Sequence, residues 1–201
     1  MGRALLKWNE WAPGLDTDEM TVREVLATMP RSDPDAVPEI VRKYENPSSP
    51  DKLPGAIDLD RHDCLHVILG RGLHVQDEAF IIGVTMGAAS DMTADHAETF
   101  IRISTTEYPK AWQFEPEHIA SYRLGIGFAE DMLANKDLHL MPFEEPPLFD
   151  TKVAEIRNSL GLVKAEMRAY FRAEEILVPG SRATRRLDTS ARREDRDLKP
   201  E

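Results

Sequence analysis

The sequence predicts an all-α protein, a compact multi-helix single domain with a buried metal between two central helices. Three observations lead there. No apolar–polar alternation of period two persists along the chain, and β-branched runs are short, so nothing reads as a half-buried strand. Breakers stand where helical runs end, at Pro30, Gly70 and Gly72. Finally, 201 residues suffice for one well-cored domain, and no internal repeat divides them.

Taken in order, residues 16–29 read as a capped helix with Thr17 as N-cap and Pro30 as its stop. A second short helix is expected over 34–45, capped by Ser32 or Asp33. The stretch NPSSPDKLPG (46–55), with three prolines and a glycine, reads as an ordered loop or linker. The motif region 58–89 is the most apolar part of the chain and holds two helices, 58–69 and 75–89. Further helices are expected at 93–106, 115–134, 149–160 and 162–176. The domain therefore runs over 1–178. Beyond it, 179–201 carries seven Lys/Arg, five Asp/Glu and few apolar residues, too few to offset ordering entropy, and reads as a disordered charged tail. Trp8, Trp11 and Trp112 read as packing anchors.

Charge and composition exclude several functions. A formal net charge of −11 argues against a nucleic-acid partner, which would need a basic face. One cysteine rules out an internal disulfide framework and suits a reducing compartment. No apolar run approaches bilayer-spanning length, and the start MGRALLKWNEW lacks a signal-peptide core. The expectation is a cytoplasmic protein, with peripheral contact at the inner face of the cell membrane left open.

The chemistry sits in H-D-x-x-H followed by eleven residues and a glutamate: His62, Asp63, His66 and Glu78. Histidines at i and i+4 share one helix face, the spacing that lets one element offer two imidazoles to a metal. Asp63 lies about 100° around the helix from His62. Between His62 and Leu69 the remaining side chains are Cys, Leu, Val and Ile, and EAFIIGVTMGAA (78–89) holds a single further polar residue, Thr85. Helices apolar on every side belong in a core, where isolated ionised groups are costly. Two neutral imidazoles, two carboxylates and one divalent cation sum to zero charge. Nitrogen and oxygen donors without thiolate suit Zn2+, or Mn2+ or Fe2+, better than Ca2+. The competing reading makes the histidines ordinary core residues and pairs Asp63 and Glu78 with Arg61 or Arg71. Cys64 faces away and reads as packing. His74, His96, His118 and His139 lie on polar segments and read as surface residues. Gly83 and Gly87 permit close approach of a helix or a lipid tail.

HDCLH-x11-E resembles the zinc motif of the fourth Coq protein family of ubiquinone (coenzyme Q) biosynthesis. The likeness extends through LPGAIDLDRHDCLHVILGRG and QDEAFIIGVTMG, more weakly through SYRLGIGFAEDML and FDTKVAEIRNSLGL, and covers roughly 37–162, as in a divergent bacterial member. Asp77 precedes Glu78 where many members have glycine. The resemblance implies that His62, Asp63, His66 and Glu78 bind zinc. It also implies a helical homodimer that binds a polyprenylated quinone precursor, works with other quinone-biosynthesis enzymes and contacts the membrane peripherally. A C1 oxidative decarboxylation is the implied activity. From the residues themselves, Glu78, on the separate helix, is the ligand expected to double as an acid/base group, and Gly83 and Gly87, reducing bulk near Ile81, Ile82 and Met86, are expected to leave room for the lipid chain. Two other functions fit the same residues: a non-catalytic lipid-binding scaffold with a structural metal, and a zincin-like hydrolase, since H-D-x-x-H imitates H-E-x-x-H. The hydrolase fits least, because aspartate is a methylene shorter than the glutamate base.

Overall fold

A computed structural model describes residues 8–30, 37–133 and 136–185. Among the described residues every named element is helical, the only β-type pairing being an isolated bridge between Thr21 and Lys152. The helices are α1 (Val22–Leu26), α2 (Glu39–Glu45), α3 (Leu59–Leu69), α4 (Val75–Gly87), α5 (Ala94–Thr106), α6 (Pro116–Met132), α7 (Val153–Ser159) and α8 (Lys164–Leu177). None of them is long and apolar enough to cross a membrane.

α4 is the central helix, and its sequence says why. Apolar residues surround its whole circumference, so it packs on both sides. Phe80, Ile81, Val84 and Ala88 join a core built with α3, α7 and α8, while Ala79, Ile82 and Met86 join a second core with Phe100, Ile103 and Tyr122. Gly83 meets α6 where Gly125 does the same from the other side. A Cβ on Gly83 would stand 2.1 Å from the Tyr122 carbonyl oxygen, and one on Gly125 would stand 2.2 Å from the Phe80 oxygen. The two backbones touch directly.

α3 is fixed at both ends. Asp58 precedes it as N-cap, and Gly70 ends it in the left-handed conformation at φ 70°, where a side chain would be strained. The last carbonyls, unsatisfied within a helix, are met by Arg157 of α7. Its Nε donates to Ile68 O at 2.9 Å and its Nη2 to Val67 O at 3.2 Å, while Nη1 pairs with Asp18 at 2.8 Å. A buried cation at a helix C-terminus also suits the helix dipole.

Several expected boundaries move. The first helix is the five-residue α1, capped by Thr21 instead of Thr17; Thr21 and Glu24 form a reciprocal capping box. α2 begins at Glu39, and the expected caps Ser32 and Asp33 lie outside the described residues. Trp11 is buried and donates Nε1–H to Thr28 Oγ1 at 2.9 Å, whereas Trp112 is 41% exposed and anchors little. Trp8's side chain is not among those described.

The first residues of the expected tail dock on the body. Ala183 and Thr184 are buried, and Gln76 Nε2 donates to Thr184 Oγ1 at 3.0 Å. Residues 186–201 lie outside the described residues. A chain cut after Val178 is therefore expected to be less stable than one cut after Arg185, by about 1–3 kcal/mol for one lost buried hydrogen bond and one uncovered apolar contact. Urea melts of the two chains measure it, and equal midpoints would mean that the segment does not dock.

Candidate metal centre

α3 and α4 are joined by a short turn through Gly70 and Gly72, which folds α4 back so that its first turn faces the middle of α3. His74 stands at the N-cap, where its N–H donates to Asp77 Oδ2 at 3.2 Å. Asp77 is thereby committed to the start of the helix, and its neighbour Glu78 points the other way, toward the histidines.

The structure brings His62, His66 and Glu78 together. One ligand atom from each lies within 4.8 Å of the others. Glu78 Oε2 is 2.9 Å from His62 Nε2 and 3.4 Å from His66 Nε2. His66 is sealed in the core, edge-on to Trp11 with ring centroids 6.4 Å apart, and its Nδ1 is buried without a hydrogen-bond partner. His62 sits beside it, the ring centroids 5.0 Å apart. Glu78 keeps 30% of its side chain exposed, so the site opens on the carboxylate side.

Electrostatics tie the three together. Burial opposes ionisation of Glu78, but the His66 charge and hydrogen bonds to both imidazoles outweigh it and hold the carboxyl well below the usual range. Burial alone would depress His62; the hydrogen bond to Glu78 and that carboxylate's charge reverse this and raise it.

Asp63 is not in the converging group. Its charge reaches His62, but its oxygens lie outside the 4.8 Å set. Burial raises its carboxyl, with His66 and His62 opposing. Of the four expected ligands three converge, because a neighbour one step along the helix leaves at an angle. The alternative pairings with arginine do not occur either. Arg61 is bidentate to Glu144, with its shortest contact at 2.6 Å. Arg71 donates to Glu174 at 2.5 Å. Glu78 is left with the two histidines.

These residues fit a divalent cation. Ligand atoms on a tetrahedral ion with bonds of about 2.0–2.1 Å stand roughly 3.3 Å apart, close to the spacing of the Glu78 oxygen from the two Nε2 atoms. The same contacts, without an ion, are polar contacts between Glu78 and the two imidazoles.

The expected lipid-lining residues divide. Ile82 and Met86 do line a cavity beside His62, but its volume is only about 10 Å³, room for one water. Ile81 is packed in the core. Gly83 and Gly87 face α6, where a Cβ on Gly87 would stand 2.9 Å from the Ile126 Cα. Those two glycines serve helix packing, and the space for a chain is filled by a helix.

Three further groups escaped the sequence reading. Glu45, half-buried at the end of α2, and Tyr108, buried just after α5, meet beside His62, and nothing in their local sequence marks them. Glu174 had a legible signal, since it falls on the apolar stripe of α8 with Met167 and Phe171. The chain matches no protein-family model, no curated protein and no solved structure.

Proposed function

We propose that this chain is a metal-dependent factor of prenyl-quinone biosynthesis whose centre is a divalent cation, zinc before Mn2+ or Fe2+, held by His62, His66 and Glu78 with Asp63 beside them. The observation that carries the metal is the convergence of three donor side chains, 2.9 and 3.4 Å apart at their closest, inside two otherwise apolar helices. The resemblance of HDCLH-x11-E to the ubiquinone family supplies the pathway and the substrate class, a polyprenylated aromatic acid. When bound, the ion would act as a Lewis acid toward the ring oxygens or carboxylate. His62 and His66 hold it from the closed side. Glu78, on the separate helix and partly exposed, is the ligand best placed to exchange or to move a proton.

The water-sized cavity favours a second reading, a scaffold with a structural metal that binds its lipid elsewhere, with other quinone-biosynthesis enzymes or a second copy as partners. An ion whose four positions are all filled by the protein supports that reading; a bound exchangeable water supports the first.

Elemental analysis of protein purified without chelator is expected to find a stoichiometric divalent ion, lost in the His62→Ala/His66→Ala double variant. Undiminished metal in that variant would remove the site as drawn. Lipid extraction of the same preparation tests the pathway: no polyprenyl compound bound, even in excess, would leave a metal protein of another kind.

Without metal, the protein is expected to be more stable at about pH 5.5 than at about pH 8. Burial pushes the Glu45 carboxyl up to about 7 and the Asp77 carboxyl up to about 6, and His62 is raised as well. Each group holds its proton more tightly folded than unfolded. The stability it contributes is complete below its unfolded pKa and is lost as pH rises through the folded one. His118 and His139, lowered by burial, act in the opposite sense through smaller directional shifts. Chelated protein melted at both pH values should show the acid sample higher by several degrees. Zinc should narrow that difference, and a higher melt at pH 8 without metal would contradict the buried-carboxyl account.

A further inference from the structure

One more carboxylate faces this centre. Glu45 ends α2 with its backbone pinned, Leu53 N–H donating to Tyr44 O at 2.9 Å and Ile57 N–H to Glu45 O at 3.1 Å. Its side chain turns inward, and the Tyr108 hydroxyl donates to Oε1. No lysine or arginine among the described residues forms an ion pair with it. The charges that reach it belong to His62, which favours its ionisation, and Glu78, which opposes it.

Glu45 and His62 both line the small cavity, closed further by Gly55, Thr85, Met86 and Phe100. Its volume of about 10 Å³ admits one water, and a buried water needs two to four polar partners. Glu45 is one, lining the same cavity as His62, and its oxygens lie outside the converging ligand set. A half-buried carboxylate with no basic partner among the described residues is favoured by a proton or a cation nearby. Glu45 has Tyr108 on one side and the site of the ion on the other.

We propose that Glu45, oriented by Tyr108, is the outer carboxylate of the metal centre, accepting a hydrogen bond from a water in the cavity that is itself bound to the cation at His62, His66 and Glu78. This rests on the metal reading above. Glu45 is then a positioning residue: it fixes where the open side of the ion lies and holds the proton of the water there. Outer-shell partners of this kind tune affinity without contacting the metal.

The test uses Co2+ as both ligand and spectroscopic probe, on the full chain. Glu45→Gln keeps the size and still accepts from Tyr108, but removes the charge. Chelated E45Q is expected to melt at or above the wild type, because a buried charge is gone. Its Co2+ affinity should nevertheless fall about 10- to 100-fold, with a shifted d–d absorption band. A merely structural Glu45 would give neither change. Tyr108→Phe, which leaves the charge but frees its orientation, should move the band in the same direction with a smaller loss of affinity, and it decides the matter if E45Q does not fold. E45Q, or Y108F in its place, binding Co2+ as tightly as the wild type with an unchanged spectrum would overturn the proposal and leave the metal reading standing. A wild type that takes up no Co2+ would overturn both.

Discussion

Gly83→Ala is expected to destabilise the protein by roughly 3 kcal/mol or more, at the upper end of what overpacking costs. The added methyl would stand 2.1 Å from the Tyr122 carbonyl oxygen and 3.0 Å from its carbon. Both are backbone atoms of a regular helix, so no side chain can rotate aside. α4 and α6 would have to separate, and the reciprocal contact of Gly125 on Phe80 would open with them. That separation loosens both hydrophobic cores at once, since α4 contributes to each. Gly127 provides the internal control. It lies on α6 with nothing within 4 Å of its virtual Cβ. Gly127→Ala should therefore stabilise by up to about 1 kcal/mol through helix propensity alone. Urea unfolding of the two variants beside the wild type gives the comparison. If Gly83→Ala unfolds at the wild-type midpoint, the helices are not in backbone contact and the space at Gly83 is open to a ligand after all.

The sites of success and failure in the sequence reading have distinct physical causes. α3 and α4 were legible because Gly70, in the left-handed conformation, ends α3, and because the runs 64–69 and 79–84 are almost wholly apolar and buried. The His62, His66 and Glu78 convergence follows from i, i+4 spacing plus a turn short enough to fold back. Asp63 belongs to the same motif, but a 100° step along the helix turns its oxygens out of the converging set while its charge still reaches the histidines. The glycines of α4 were ambiguous for a different reason. A small residue in an apolar helix states that something comes close, and only the position of α6 says what. The cap of α1 was misplaced although T-V-R-E at 21–24 is a capping box in plain view, because the acidic run before it offered Thr17 as a rival. Glu45 and Tyr108 were invisible, since their meeting depends on how α2 and α5 are placed and not on any local pattern.

Removal of the Arg71 side chain should cost about 3–5 kcal/mol, the range for breaking a buried ion pair by deleting one partner. Arg71 is fully buried in the turn between α3 and α4. Its Nη1 donates to Glu174 at 2.5 Å and stands 3.9 Å from Asp77, and its guanidinium lies 3.5 Å from the Phe80 ring centroid and 4.7 Å from that of Phe171. Glu174 is also fully buried, and takes further hydrogen bonds from Gln76 and Ser121, each at 2.7 Å. Arg71→Met would leave that carboxylate with two neutral donors and the Asp77 carboxylate nearby. With the cation gone, the two buried carboxylates are uncompensated and the segment must open or admit water. Because Gln76 and Asp77 immediately precede Glu78, loosening here should also displace Glu78 and so weaken the proposed metal binding, although Arg71 does not touch that site. The pair is nonetheless not optimal for stability, since Arg71 Nε and Nη2 are buried without hydrogen-bond partners. The double variant Arg71→Met/Glu174→Met removes both charges and is expected to recover most of the loss, a coupling that a double-mutant cycle reads directly. An Arg71→Met protein as stable as a typical surface variant, within about 0.5 kcal/mol of the wild type, would mean that the ion pair is solvated. A double variant no better than the single would mean that Arg71 acts through the two aromatic rings and not through Glu174.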